Sequence, residues 1–350
     1  MVDQFIIFAR PVTGGCTDEY NPIRNTLHAE GGINLSKHLI IYDVDWWILG
    51  KTAKIIQQNR PDLDVISCAK LEELIQDVGA AEVNRRYSRI CALCLGIAAW
   101  AIFKNIRIDA SAAVSYYYFS RNYDTLREWK DPIVPDPDFL RLVLPRIPVI
   151  GAMNRKLAET LKGLAPHARV DYIGHFVDTA KFAPAAANLD PSLPLTIGWA
   201  GDKRKRSKNY ESLYLPIRKS FEHDPRVRFV ETSGEYAYDD MPLFYRSIDL
   251  LLITSANEGG GAPALEAYAC GKPVLSTNVG YIQEAAHPDA HPFILDSDDP
   301  QDFIRSIREW MHKRSELDTI GRRCREKIVS DWGADKAVKR WISLLLTDGG

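Results

Sequence analysis

The sequence predicts an α/β protein with two parallel-sheet domains, and three observations lead there. The chain has 350 residues, too many for one ordinary core and enough for two domains of about 150–190 residues. Short β-type runs alternate with helix-period segments nearly throughout, the pattern of parallel sheets covered by helices. The stretch 184–194 (PAAANLDPSLP) sets three prolines among small residues and parts two such series, so it reads as an interdomain linker.

In order along the chain, 5–9 and 38–43 are short β-type runs, 46–58 has helical periodicity and 64–68 is strand-like. A long helix is expected over about 83–104. Its centre, ICALCLGIAAWAIF, has 14 residues where a membrane span needs about 20, so it reads as a buried helix. The flanking Arg85, Arg86, Arg89, Lys104 and Arg107 keep open a face that rests on a membrane. Strands are expected at 112–119 and 147–151, and a helix at 155–164. Beyond the linker come strands at 195–199, 227–231, 249–253 and 273–276, with helices at 210–221 and 262–270 between them. Phe303, Ile304, Ile307, Trp310 and Met311 make the stripe of an amphipathic helix. Ala334, Ala337, Val338, Trp341 and Leu345 make another at the end.

Composition narrows the function. At 46% apolar and 26% charged the chain is not a disordered one. Its 44 basic and 46 acidic side chains leave a net charge of −2, with no general drive toward nucleic acid or anionic lipid. Six scattered cysteines do not form a disulfide framework and fit a reducing cytoplasm. Cys91-x-x-Cys94 has metal or redox spacing without a second pair, and reads as core. The start, MVDQFIIFARPV, lacks the pattern of a signal peptide, so the expected location is cytoplasmic, with contact at the inner membrane face through the N-terminal domain kept open.

The chemistry concentrates in 249–284, DLLLITSANEGGGAPALEAYACGKPVLSTNVGYIQE. An apolar strand ends at Thr254-Ser255; then come Glu258, three glycines, Ala262 and Pro263. Proline suits the first turn of a helix, and Gly271 with Pro273 marks its stop. Gly259, Gly260 and Gly261 let a ligand reach the backbone, and the helix start offers unpaired N–H groups and a positive dipole end, a site for a diphosphate. Glu258 and Glu266, eight residues apart, can face one cleft; carboxylates there suit hydroxyl donors, and a nucleotide sugar offers sugar and ribose hydroxyls on either side of its diphosphate. The alternative is a tight turn with two solvated acids. GDKRKRSKN (201–209) holds five cations in six residues after a strand, enough to neutralise a diphosphate, with Lys208 the first choice and Arg204 the second. A solvated charged turn or a nucleic-acid patch is the competing reading; the net charge and the lack of aromatic stacking residues speak against nucleic acid.

Ser255, Glu258-Gly259, Glu266-Ala267, Gly271-Lys272-Pro273-Val274, Gly280 and Glu284 follow a known pattern. With it this half resembles the retaining glycosyltransferases of the GT-B fold, most closely family four (glycosyl transferases group 1). Val177-Asp178-(x3)-Phe182-x-Pro184 is similar to that family's hinge signature, and Gly201 with Lys208-Asn209 to its phosphate loop, though Asp202 stands where arginine is usual. The likeness covers about 147–346.

The resemblance implies two Rossmann-like domains facing a cleft: 1–184 for the acceptor, 185–331 for the nucleotide sugar, and 332–350 as a helix crossing back onto the first domain. It implies metal-independent, retaining transfer of a hexose-type sugar from a UDP- or GDP-linked donor to a glycan, glycolipid or small-molecule acceptor, with no cofactor. Glu266 would bind ribose hydroxyls, Glu258 the donor sugar, and Lys208, Arg204 and the backbone of Gly259, Gly260, Gly261 and Ala262 the diphosphate. Thr232 and Ser233 would lie near the base, and Gly14-Gly15 resembles the first glycine-rich loop of such enzymes.

The first half departs from the pattern. Many relatives carry a histidine after a central strand of this domain; here none lies between 39 and 166, and the strand expected at 112–119 runs into Tyr116-Tyr117-Tyr118-Phe119-Ser120. A tyrosine such as Tyr117, or Ser120, takes that place, or the contact is absent, or the tyrosines are core. Asp43-Val44-Asp45 is literally a DxD, but the donor machinery lies in the other half, so no metal site is expected. Asp45, Trp46 and Trp47 at a strand end suit an acceptor sugar, since indole faces stack on sugar rings; helix-start packing is the alternative. A catalytically inactive nucleotide-sugar-binding subunit is the second reading of the whole.

Overall fold

The computed structural model describes residues 37–184 and 193–347. The strand expected at 5–9, Gly14-Gly15 and positions 185–192 of the linker lie outside the described residues. The chain divides into two compact units, Met1–Ser111 and Ala112–Gly350.

In the first unit, β1 (His38–Tyr42) leads through α1 (Ile48–Asn59) to β2 (Leu63–Ser67), then α2 (Cys68–Val78), α3 (Ala80–Arg86), β3 (Arg89–Ala92) and α4 (Leu95–Phe103). β1 pairs parallel with β2 in the register His38↔Leu63 and with β3 in the register His38↔Arg89. The single helix expected over 83–104 is therefore a helix, a strand and a second helix. β3 is buried along its whole length, and such a strand shows no period that separates it from a buried helix. The chain turns at Leu93 and Cys94, whose Sγ accepts from Ile97 N–H at 3.4 Å and caps α4.

β4 (Ala110–Ala113) straddles the boundary between the units, followed by α5 (Pro137–Leu142), β5 (Val149–Ala152), α6 (Arg155–Leu164) and β6 (Arg169–Tyr172). The first sheet has the order β2-β1-β3-β4-β5-β6. The strand expected over 112–119 ends at Ala113, because Tyr116 and Phe119 are both fully buried, a spacing that a turn satisfies and an alternating strand does not.

The second sheet follows: β7 (Leu195–Ala200), α7 (Leu215–Lys219), β8 (Val227–Thr232), α8 (Met241–Arg246), β9 (Leu250–Ile253), α9 (Ala262–Ala269), β10 (Val274–Thr277), α10 (Ile282–Ala285) and β11 (Ile294–Leu295). Its order is β11-β10-β9-β7-β8, and its strand pairs are parallel. β9 sits at the centre and is wholly buried, as its apolar run requires. The helix expected over 210–221 starts as one π turn, Tyr210–Tyr214, before α7; Pro216 lacks the N–H that would bond into the preceding turn.

α11 (Pro300–His312), α12 (Arg314–Lys327) and α13 (Ala334–Leu346) close the chain. α13 lies on β5, where a Cβ at Gly151 would come within 2.9 Å of Leu344 Cδ2. Val177 N–H donates to Trp332 O and Ala334 N–H to Val177 O, both at 3.0 Å, fixing the entry to that helix. Among the described residues no helix is long and apolar enough to cross a membrane.

Candidate functional site

Adjacent parallel strands put their following loops side by side, so the loops after β7, β9 and β10 gather at the carboxyl edge of the second sheet. The first two are fastened together. Trp199 Nε1 donates to Thr254 Oγ1 at 3.1 Å, Thr254 Oγ1 donates to Lys208 O at 2.8 Å, and Ala256 N–H donates to Ser207 O at 2.7 Å. These bonds bring Lys208 over the turn after β9, where its Nζ pairs with Glu258 Oε1; Ser255 Oγ donates to the same oxygen at 2.8 Å. A small recess lined by Trp199, Lys208, Thr254, Ser255, Glu258 and Gly261 lies there.

The glycines answer steric demands as well as ligand access. A Cβ at Gly259 would sit 1.4 Å from Val114 O, and Gly261 takes φ +120°, which side chains rarely adopt. Asn154 Nδ2 donates to Gly259 O at 2.8 Å while its Oδ1 caps α6. Asn257 Nδ2 donates to Tyr123 O and Leu126 O at 2.6 and 3.0 Å. Asn154 has a local role as the N-cap of α6, but nothing local marks its hold on Gly259 or that of Asn257 on Tyr123, each more than 100 residues away. α9 then starts with Ala262 and Pro263.

Glu266 is buried one turn into α9, and Tyr245 Oη donates to its Oε2 at 2.6 Å. Burial raises its pKa to about 7, with the tyrosine bond opposing. Thr232, at the end of β8, donates from Oγ1 to Glu235 Oε2 at 3.0 Å, and Ser233 N–H donates to the same oxygen.

Not every candidate joins this group. Arg204 forms a two-pronged bond with Asp202, both contacts at 3.0 Å, and its side chain is 90% exposed. Lys205 feels the charges of the site. Although the residue as a whole is exposed, desolvation of its amine holds its pKa down, helped by Lys208 and opposed by Glu258. Of the two cations the sequence favours, Lys208 meets Glu258 and Arg204 is held by Asp202.

In the first unit, Asp45 accepts from Tyr42 Oη at 2.9 Å and pairs with Lys54 at 2.8 Å. Trp46 is 68% exposed and meets the Trp47 ring edge-on at 5.5 Å, with Trp47 at the N-cap of α1. Asp43 accepts from Val44 N–H at 2.7 Å. Among the described residues no three His, Cys, Asp or Glu side chains converge as a metal site would require. In the second unit, Tyr117 packs edge-on against Tyr118 and Tyr123, with ring centres 5.0 and 4.3 Å away.

Comparison with known proteins gives the class. Residues 225–327 match the family model described as glycosyl transferases group 1. D-inositol 3-phosphate glycosyltransferases from Salinispora tropica and Salinispora arenicola are each 39% identical, over 82 and 127 residues, or 23% and 36% of this chain. The matches span 16% and 28% of those proteins' own lengths, well under two thirds. Among solved structures, sucrose-phosphate synthase from Thermosynechococcus elongatus superposes with TM-score 0.65 at 13% identity, covering 88% of this chain and 98% of that one. HepE from Anabaena, in complex with UDP and glucose, gives TM-score 0.60 at 13% identity over 87% and 98%. The fold is thus of the GT-B type.

Proposed function

We propose that the protein is a retaining glycosyltransferase that moves a hexose from a UDP- or GDP-linked donor to a glycan, glycolipid or small-molecule acceptor, without a metal. One observation carries the reading: Lys208 and Glu258 meet at the glycine turn that opens α9, eight residues before the buried Glu266. The relatives' names support it, as does the UDP and glucose complex of HepE.

In this reading Lys208 exchanges Glu258 for the diphosphate when donor arrives. The freed Glu258 carboxylate then accepts hydrogen bonds from the sugar, and Glu266 accepts from the ribose hydroxyls. Lys205, Lys208 and the backbone of Gly259, Gly260, Gly261 and Ala262 stabilise the departing diphosphate, work that fixed cations and N–H groups perform. Thr232 and Ser233 line the base. Asp45, Trp46, Trp47 and Tyr117 meet the acceptor. The enzyme acts in the cytoplasm, at the inner membrane face where the acceptor is a lipid.

A thermal-shift panel of nucleoside diphosphates and nucleotide sugars tests the donor assignment, because a ligand of the native state raises its melting temperature. UDP or GDP and the matching sugar donor should raise it, and the same donor should be hydrolysed or transferred. A flat panel at millimolar ligand overturns the assignment. Binding without hydrolysis or transfer identifies an inactive binding subunit instead.

A further inference from the structure

Glu128 belongs to no motif, yet its carboxylate is placed with care. It lies between β4 and α5 and is 3% exposed. Its Oε2 accepts from the backbone N–H of Glu258 and from that of Gly280, each at 3.1 Å, while Oε1 accepts from Tyr116 Oη at 3.1 Å. The first two donors sit on different loops, one after β9 and one after β10.

These loops touch where the carboxylate joins them: a Cβ at Gly280 would lie 1.9 Å from Gly260 O and 3.2 Å from Glu258 Cβ. Glu128 N–H also donates to Ala256 O at 2.9 Å, so backbone and side chain of one residue hold both ends of 256–258. Burying a carboxylate is unfavourable, and burial pushes its pKa up to about 7 against the two N–H bonds, the Tyr116 bond and the charge of Lys156. A neutral side chain would avoid that cost. What the side chain adds is its length and two polar atoms at fixed separation, one shared by both loop amides and one anchored by the tyrosine.

We propose that Glu128 is a positioning residue that splints the loop after β9 to the loop after β10 and so aims the Glu258 carboxylate. The splint stands on the contacts above; its importance for sugar transfer rests on the donor-site reading of the same turn.

Hydrogen exchange with residue resolution on the full chain tests the splint without any ligand. Glu128→Ala and Glu128→Asp should each speed exchange of the Glu258 and Gly280 amides by about tenfold or more, the loss of a hydrogen bond to a charged group. Aspartate keeps the charge and falls one methylene short. Glu128→Gln should hold both amides within about threefold of wild type, since its carbonyl can accept from both and its amide can donate to Tyr116 Oη. If either short variant does not fold, the other against Glu128→Gln decides. Unchanged exchange at the two amides, or acceleration spread evenly over the chain, overturns the proposal. With donor present, the short variants should lose about tenfold in turnover of the donor sugar while UDP affinity stays within about threefold, and Glu128→Gln should restore turnover. Equal losses in both overturn the aiming of Glu258. Failure of wild type to bind any nucleotide sugar would sink the proposed function, and the exchange experiment would still decide the splint.

Discussion

Tyr245 Oη donates to Glu266 Oε2 across 2.6 Å, and both side chains are buried. The pair leaves a carboxylate that ionises late, near pH 7, because burial disfavours its charge. Ribose hydroxyls would donate to the ionised form, so binding should release a proton below that pH. UDP affinity, measured by calorimetry, should rise about tenfold per pH unit below about 7 and flatten above it. Glu266→Gln should flatten the profile and weaken binding by roughly 10- to 150-fold, the worth of a hydrogen bond to a charged group. Without ligand the sign reverses. The folded state holds this proton after the unfolded chain has released its own, so the carboxyl's stabilising contribution is present at acidic pH and lost as pH rises to about 7. Glu266→Gln should therefore gain in melting temperature over wild type as pH rises.

The cations of 203–208 should differ in effect. Lys208→Met should weaken UDP binding by about tenfold or more, since it removes a charge-assisted contact and leaves Glu258 without its partner. Lys205→Met should cost about threefold to tenfold. Arg204→Ala should stay within about twofold, because Asp202 holds that guanidinium in solvent. A titration of the three variants with UDP checks the order.

Gly259→Ala should destabilise the fold. The added methyl meets the Val114 carbonyl at 1.4 Å, a backbone atom that cannot rotate away. Overpacking of this kind costs about 1–3 kcal/mol or more. Denaturant unfolding should show a lower midpoint with little change in slope.

His175 should give the protein an acid-sensitive component. It is buried against Phe176, Tyr281 and Trp341, burial holds its pKa down at about 4, and Phe176 N–H donates to its Nδ1. Its Nε2 meets no hydrogen-bond partner among the described residues. The unfolded chain takes up this proton near pH 6.5, the folded one only near 4, so stability is complete above 6.5 and falls between those values, by up to about 3 kcal/mol. His175→Gln should flatten that part of the stability–pH curve, read by thermal unfolding from pH 4 to 7.

The turn and helix after β9 are legible in the sequence because their signals are local. The apolar run of β9, the glycines, Pro263 and Gly271 lie within 25 residues and each constrains the backbone by itself. β3 and α4 were not separable, since a strand buried on both faces and a wholly apolar helix share one composition. The loop-holding contacts of Glu128, Asn154 and Asn257 carry no such signal, because the backbone groups they hold in the turns lie more than 100 residues away along the chain. The capture of Arg204 by Asp202 is visible only in the folded loop.

Asn154 has one amide and two duties. Its oxygen begins α6 and its nitrogen grips the Gly259 carbonyl. A shift of that carbonyl would therefore be felt at the opening of α6. A reporter dye near Lys156 would thus register movement of the glycine turn, whatever ligand causes it.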